Sequence, residues 1–324
     1  MADHHAQDRP GGPLPVFLAD TYNGRHFVLR KIGHGQNSTV WLVRDLRTLI
    51  AFSRTGYFRD LKILSSDCCG VARGISTRNT LTQLRDANPQ DPGYAHIAVL
   101  TGCMKWLPGH RLPPNVMRLF TRSLLLALSY AHGSEVKYTD IKPENIFAMI
   151  KNKSVITDLY IPNNPNGPMF DIVLGGWGAA SWADLHYNKT IRPIRFRPPE
   201  SLIIAPCPPS SSMDFWSLGA TMVEAFFGVW MFEGSFRTGG PYGPIPDSLR
   251  EKGDHTLVQQ IFDDRGRVKG LPRLRLPTLE NASWMLGLGE RDRVGFATFL
   301  ISLMRVNPEE RVNIGQLIYH PWVR

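Results

Sequence analysis

The rhythm of apolar and polar positions changes partway along this chain. In the first third, apolar residues come in short strand-like runs: 26–32 (HFVLRKI), 40–43 (VWLV), 60–64 (DLKIL) and 96–100 (HIAVL). From position 115 the spacing becomes helical. Val116, Leu119, Phe120, Leu124, Leu128 and Ala131 recur on one face, and Asn115 is the predicted cap after Pro113 and Pro114. Strand-like runs return at 146–150, 154–159 and 170–174, the last two separated by a turn-forming stretch at 163–168 (NNPNGP). A helix opening at Asp214 and stopping at Gly228 is apolar almost all round and belongs in a core, with Asp214 as its predicted cap. A short helix near 257–262 opens at Asp254, an amphipathic one covers 291–304, and a last one ends at 320–322. Residues 1–22 are polar and rich in Pro and Gly, which predicts a flexible leader. The pattern predicts an α+β chain: a small β-rich part at 23–107, irregular over 50–107, then a large helical part at 108–324.

Chemistry-bearing residues sit at the joints of this pattern. Ile32, Gly33, His34, Gly35, Gln36, Asn37, Ser38, Thr39 and Val40 span the junction of two predicted strands. Glycine lets a backbone approach phosphate closely, although a plain hairpin uses the same G-x-G. Lys62 lies among apolar residues, as a phosphate-reaching ammonium or as an ordinary edge-strand lysine. Residues 68–85 contain no Asp or Glu, and Gly70 and Gly74 lower helix propensity in the first half of that stretch. At 138–145 (YTDIKPEN), an acid (Asp140), a cation (Lys142) and an amide (Asn145) fall within six positions, with Pro143 stiffening the turn. A loop held by a helix on one side and a strand on the other suits the placement of polar groups.

The spacing D-x-K-x-x-N at 140–145, G-x-G-x-x-S-x-V at 33–40, Glu200 closing 197–200 (RPPE), Asp214-x-Trp216 and Arg311 occur in the order of the eukaryotic protein kinases. More narrowly, 37–41 (NSTVW), 61–67 (LKILSSD), 139–143 (TDIKP) and 170–175 (FDIVLG) resemble the serine/arginine-protein kinase (SR-protein kinase) group, especially its fungal members. The resemblance implies a two-lobed kinase fold with a β-rich, incomplete N-lobe and a helical C-lobe. It implies ATP and Mg2+ as cofactors, with the nucleotide held by residues 32–40 and Lys62. Asp140 would deprotonate the substrate hydroxyl, Lys142 would neutralise the transferred phosphoryl, and Asn145 would hold a magnesium ion. Glu200 and Arg311 would form a buried pair, and Asp214 would hold the catalytic loop. The implied substrates are serines of Arg-Ser-rich splicing factors, met in cytoplasm and nucleus by a monomer, with Asp254 near a docking groove for basic segments.

The departures from the family fall on function. Tyr138 stands for the usual His, and Gly176, in Gly176-Trp177-Gly178, for the magnesium-binding Asp of D-F-G. Asp171, on the preceding strand, is a poor substitute. The helix Glu is missing and the hinge is short. Three readings stay open: a serine/threonine kinase transferring the ATP γ-phosphate, a catalytically impaired pseudokinase or scaffold, or the product of a faulty gene model of such a kinase, its errors gathered in residues 45–110.

Charge and composition alter this little. The net charge of +9 comes from scattered Lys and Arg with no block of five, which reads as a solvated surface rather than a nucleic-acid stripe. No apolar run reaches the length of a membrane span, and the N-terminus lacks the profile of a signal peptide. Cys68, Cys69, Cys103 and Cys207 show no metal-ligand spacing and fit a reducing interior.

Overall fold

A computed structural model describes residues 16–35, 38–46, 58–64, 77–97, 103–105, 114–150, 170–177, 180–182, 194–204, 207–231, 245–266, 269 and 279–324. Four antiparallel strands open it in sequential order: β1 (Thr21–Tyr22), β2 (His26–Gly35), β3 (Ser38–Asp45) and β4 (Phe58–Leu64). Val28 and Val43 are register partners and both buried, so one face of this sheet is apolar. Arg25 closes its end with a bidentate grip on buried Asp45 at 2.6 to 3.0 Å. Two register irregularities in β2 accommodate its extra residues against β3.

Helix α1 (Thr77–Ala87) takes the second half of the acid-free stretch. The turn after it packs on the next helix: Tyr130 donates its hydroxyl to the Leu84 carbonyl and accepts the Asn88 N–H at 3.1 Å. Beside this seam, the first two residues of the strand expected at 96–100 are not part of a strand. Tyr94–His96 forms a 3-10 turn whose Tyr94 ring meets Tyr130 edge-on at 5.9 Å. Ile97 makes an isolated parallel bridge to Leu174, and residues 98–100 lie outside those described. β5 (Cys103–Lys105) follows.

Helix α2 (Pro114–Gly133) begins on the proline itself, which has no N–H to leave unsatisfied. Asn115 is therefore inside the helix and is not its cap. Phe120, Leu124, Leu128 and Ala131 are buried as expected, joined by Met117 and Leu125, while Val116 and Leu119 in the first turns are half-buried. After β6 (Val136–Lys137) come β7 (Ile146–Ile150) and β8 (Phe170–Leu174). β5 joins these two in a separate sheet of order β5-β7-β8, and β6 pairs with β9 (Ser181–Trp182). The expected strand at 154–159 and the turn at 163–168 lie outside the described residues.

The remaining helices are α3 (Pro199–Ile203), α4 (Ser211–Phe227), α5 (Asp247–Glu251), α6 (His255–Ile261), α7 (Glu290–Leu303) and α8 (Ile314–Leu317). α4 runs through the core: Phe226 touches Phe120 of α2 at 5.2 Å and Phe296 of α7 at 5.7 Å, and Phe296 touches Trp322 at 5.0 Å. α4 ends as expected at Gly228, which takes the left-handed conformation. Its N-cap is Ser210; Asp214 lies one turn in and is turned to another task. Asp254 does cap α6, accepting the Leu257 N–H at 3.0 Å.

Candidate active site

The polar loop at 138–145 is hung between α2 and β7 and gripped from below by α4. Residues along most of α4 are apolar, but Asp214, Ser217 and Thr221 recur at three- and four-residue spacing and are fully buried. Each meets backbone elsewhere. Asp214 Oδ2 accepts the Tyr138 N–H at 2.8 Å and Oδ1 the Thr139 N–H at 2.9 Å. Thr221 donates to the Ile141 carbonyl at 3.3 Å, and Ser217 to that of Phe196 at 2.9 Å. His132 at the end of α2 bonds Asp214 Oδ2 through Nε2 at 3.0 Å. One helix face thus sets both the catalytic loop and the segment before α3.

That grip holds strained backbone. Thr139 is β-branched yet adopts φ 65°, a conformation costing roughly 1–3 kcal/mol unless neighbours over-determine it. The two N–H bonds to one buried carboxylate do so. Tyr138 is also fully buried, with its ring edge on Trp177 at 4.6 Å and its hydroxyl donating to the Gly175 carbonyl. Burial, then the charges of Asp140 and Asp214, push its pKa well above the phenolic value, against a hydrogen bond from Asn145 that pulls it down. Tyr138 is therefore a neutral strut between the loop and the strand end at 175.

The three chemical groups converge as follows. Lys142 Nζ donates to Asp140 Oδ2 at 2.6 Å. Asn145 Nδ2 donates to the Asp140 carbonyl at 2.8 Å and to Oδ2 at 3.1 Å. Asp140 is buried, while Lys142 and Asn145 are half-buried, so the cluster opens to one side. Such an arrangement can take a proton from a hydroxyl and place a cation beside a transferred anionic group.

On the nucleotide side, Gly35 pairs with Ser38 at the hairpin tip, and Val40 pairs with Lys62 across β3 and β4. The register thus joins the glycine-rich turn to the lysine strand, as a phosphate cradle requires. Ile32, Gly33 and Thr39 lie along that hairpin. Gln36 and Asn37 lie outside the described residues, as do the side chains of His34, Ser38 and Lys62. In α1, Asp86 pairs with its neighbour Arg85 at 2.6 Å on the surface.

The magnesium side does not fit. Gly176 has φ 73°, and a Cβ built on it would lie 2.5 Å from Asn145 Cγ and closer still to Oδ1. The space where an aspartate would begin is filled by the amide meant to share its ion. Among the described residues no group of three or more His, Cys, Asp or Glu gathers to hold a metal.

Below the loop, Glu200 and Arg311 form a bidentate pair, 2.7 Å at each oxygen, and both are buried. Arg311 also donates to the Ser212 and Arg305 carbonyls at 2.9 Å and lies over the Trp216 ring at 5.2 Å. Arg195 ties the loop's far side: it donates to Glu224 at 3.1 Å, lies 3.5 Å from Glu144, and sits over the rings of Phe196 and Trp230. Burial raises the Glu224 pKa, opposed by Arg195. Ser217, Thr221, His132 and Arg195 are site residues that residue order alone does not mark. The first two leave only a trace in it, small polar residues at helical spacing in an apolar helix; the last two leave none.

The protein kinase domain model matches residues 98–323. A serine/threonine protein kinase of Aspergillus fumigatus is 25% identical over 351 residues, covering 95% of this chain and 87% of that protein. Serine/threonine-protein kinase SKY1 of Saccharomyces cerevisiae is 27% identical over 191 residues, 54% of this chain and 24% of its own length. SRSF protein kinase 3 of Mus musculus is 29% identical over 180 residues, 46% of this chain and 31% of its own length. A crystal structure of a kinase domain superposes with a TM-score of 0.67 over 96% of this chain and 98% of that one, at 15% identity, which shows the fold. By fold and by kinship, this chain belongs to the protein kinase domain family, and it is similar to serine/threonine kinases that include SKY1 and SRSF protein kinase 3.

Proposed function

We propose that this chain binds ATP and transfers its γ-phosphate to serines in Arg-Ser-rich proteins, splicing factors among them, as a monomer in cytoplasm and nucleus. The observation that carries this reading is the meeting of the Asp140 carboxylate and the Lys142 ammonium, 2.6 Å apart, on a loop locked to α4. Asp140 accepts the proton of the incoming hydroxyl, and Lys142 offsets the charge of the transferred phosphoryl. The similarity to SKY1 and SRSF protein kinase 3 supports the substrate class. Asp254, the candidate for docking basic segments, uses one carboxylate oxygen to cap α6.

A second reading is favoured by Gly176. Without a carboxylate there, the chain is an impaired kinase that binds such proteins and does not phosphorylate them. Transfer from ATP to an Arg-Ser peptide in the presence of magnesium separates the two. The first reading expects product with the wild type and none with Asp140→Ala. Wild-type transfer no greater than the Asp140→Ala background refutes it. The second expects a melting temperature insensitive to Mg-ATP, and a large magnesium-dependent rise counts against it.

A further inference from the structure

The contact between Asn145 and Gly176 carries an inference that rests on reading 138–145 as a kinase catalytic loop. Their segments are tied at the backbone one residue away, where Asn145 O accepts the Gly175 N–H at 2.9 Å, so they do not slide apart freely. The Asn145 amide nitrogen is committed to Asp140, with bonds of 2.8 Å to its carbonyl and 3.1 Å to Oδ2. Its oxygen is laid on the bare face of Gly176, where a Cβ would meet Nδ2 at 2.9 Å and Cγ at 2.5 Å. A substituent at 176 would also have to tolerate φ 73°. Gly176 is therefore more than a deleted ligand: its missing side chain is the seat of Asn145.

A magnesium ion demands near-octahedral oxygen ligation at roughly 2.0–2.1 Å. Supplying it from Asn145 Oδ1 would require the amide oxygen to leave the face of Gly176, with no carboxylate arriving from 176 in exchange. We propose that Asn145 is a positioning residue in this chain, a strut seated on Gly176 that orients the Asp140 carboxylate, and that the pair leaves no divalent-cation site. Nucleotide binding is then metal-independent.

Two measurements test this. The first is a double-mutant cycle by urea unfolding on the full chain. Gly176→Ala lowers the folding equilibrium constant about tenfold through left-handed backbone alone, and further through collision with Asn145. In the Asn145→Ala background the same substitution costs at least roughly threefold less. Equal costs in both backgrounds overturn the seating of Asn145 on Gly176. The second uses the wild type, so it does not depend on a variant folding. Mn2+ is titrated with protein and followed by electron paramagnetic resonance, with and without a fluorescent ATP analogue, whose own affinity is read with magnesium and with EDTA. The expected result is a free-Mn2+ signal that the protein does not diminish, the same in Asn145→Ala and in Gly176→Asp, and an affinity for the analogue within about twofold in the two buffers. Loss of free Mn2+ that Asn145→Ala abolishes, or at least tenfold tightening by magnesium, overturns the proposal. Failure of the analogue to bind in either buffer refutes the ATP reading above, while the Mn2+ signal and the mutant cycle still decide this one.

Discussion

Asp214→Asn is a nearly isosteric change that removes one charge and reverses the hydrogen-bonding sense of one atom. Asp214 is 0% exposed, and its two oxygens together meet the Tyr138 N–H, the Thr139 N–H and His132 Nε2 at 2.8 to 3.0 Å. An amide offers one acceptor oxygen. If its nitrogen faces Thr139, that N–H meets a donor; if it faces Tyr138, His132 can change tautomer but the Tyr138 N–H cannot. One buried donor is orphaned in either orientation, a cost of about 1–3 kcal/mol, and the surviving bonds lose their charge assistance at roughly 1 kcal/mol more. Part of this is returned, because Thr139 no longer has to hold φ 65°. The expected loss is about 3 kcal/mol in urea unfolding followed by tryptophan fluorescence, against less than about 0.5 kcal/mol for exposed Asp264→Asn. Hydrogen exchange should show the 138 and 139 amides losing protection before the rest of α2 and α4. A loss under about 1 kcal/mol with both amides still protected would refute the view that this carboxylate holds the loop.

Three further expectations can be checked independently. Tyr138→Phe keeps the ring edge on Trp177 but leaves the buried Gly175 carbonyl without its hydroxyl donor, and should cost about 1–3 kcal/mol in urea unfolding. Because the folded pKa of Tyr138 lies well above 10.0, its stabilisation is intact below pH 10 and is lost as pH rises toward that folded value; the alkaline slope should flatten in Tyr138→Phe. Gly93→Ala would drive a Cβ to 2.6 Å from Tyr130 Cβ and into the Leu126 carbonyl, so the turn should leave α2, lowering stability by about 3 kcal/mol and exposing Tyr94 to quenchers. His320 accepts the Trp322 N–H at Nδ1 and packs against Phe299, and burial lowers its pKa from 6.5. The unfolded chain therefore protonates first, stability is complete above pH 6.5 and falls as the pH drops through the folded pKa, and His320→Asn should remove that acid sensitivity.

The helices and the chemistry of the loop could be read from residue order, because both depend on spacing along the chain. Apolar residues at helical period report a buried stripe, so α2, α4 and α7 were legible to within a few residues. Asp140, Lys142 and Asn145 lie within six consecutive positions, and their closeness needs no tertiary fold. Placement against distant segments was another matter. Residues 96–97 have strand propensity, yet beside the Tyr130 seam His96 ends a 3-10 turn and Ile97 makes a single bridge. Asp214 was expected both to cap α4 and to hold the loop; it does only the second, because the helix starts one turn earlier at Ser211. No run in the residue order marked Cys103–Lys105 as the partner of β7, because strand partners are chosen by edges that come together only in three dimensions. The loss of the aspartate at 176 was plain in the residue order. That Asn145 fills the space beside Gly176 was not, since no local spacing records which side chain leans on a bare glycine face from across two paired strands.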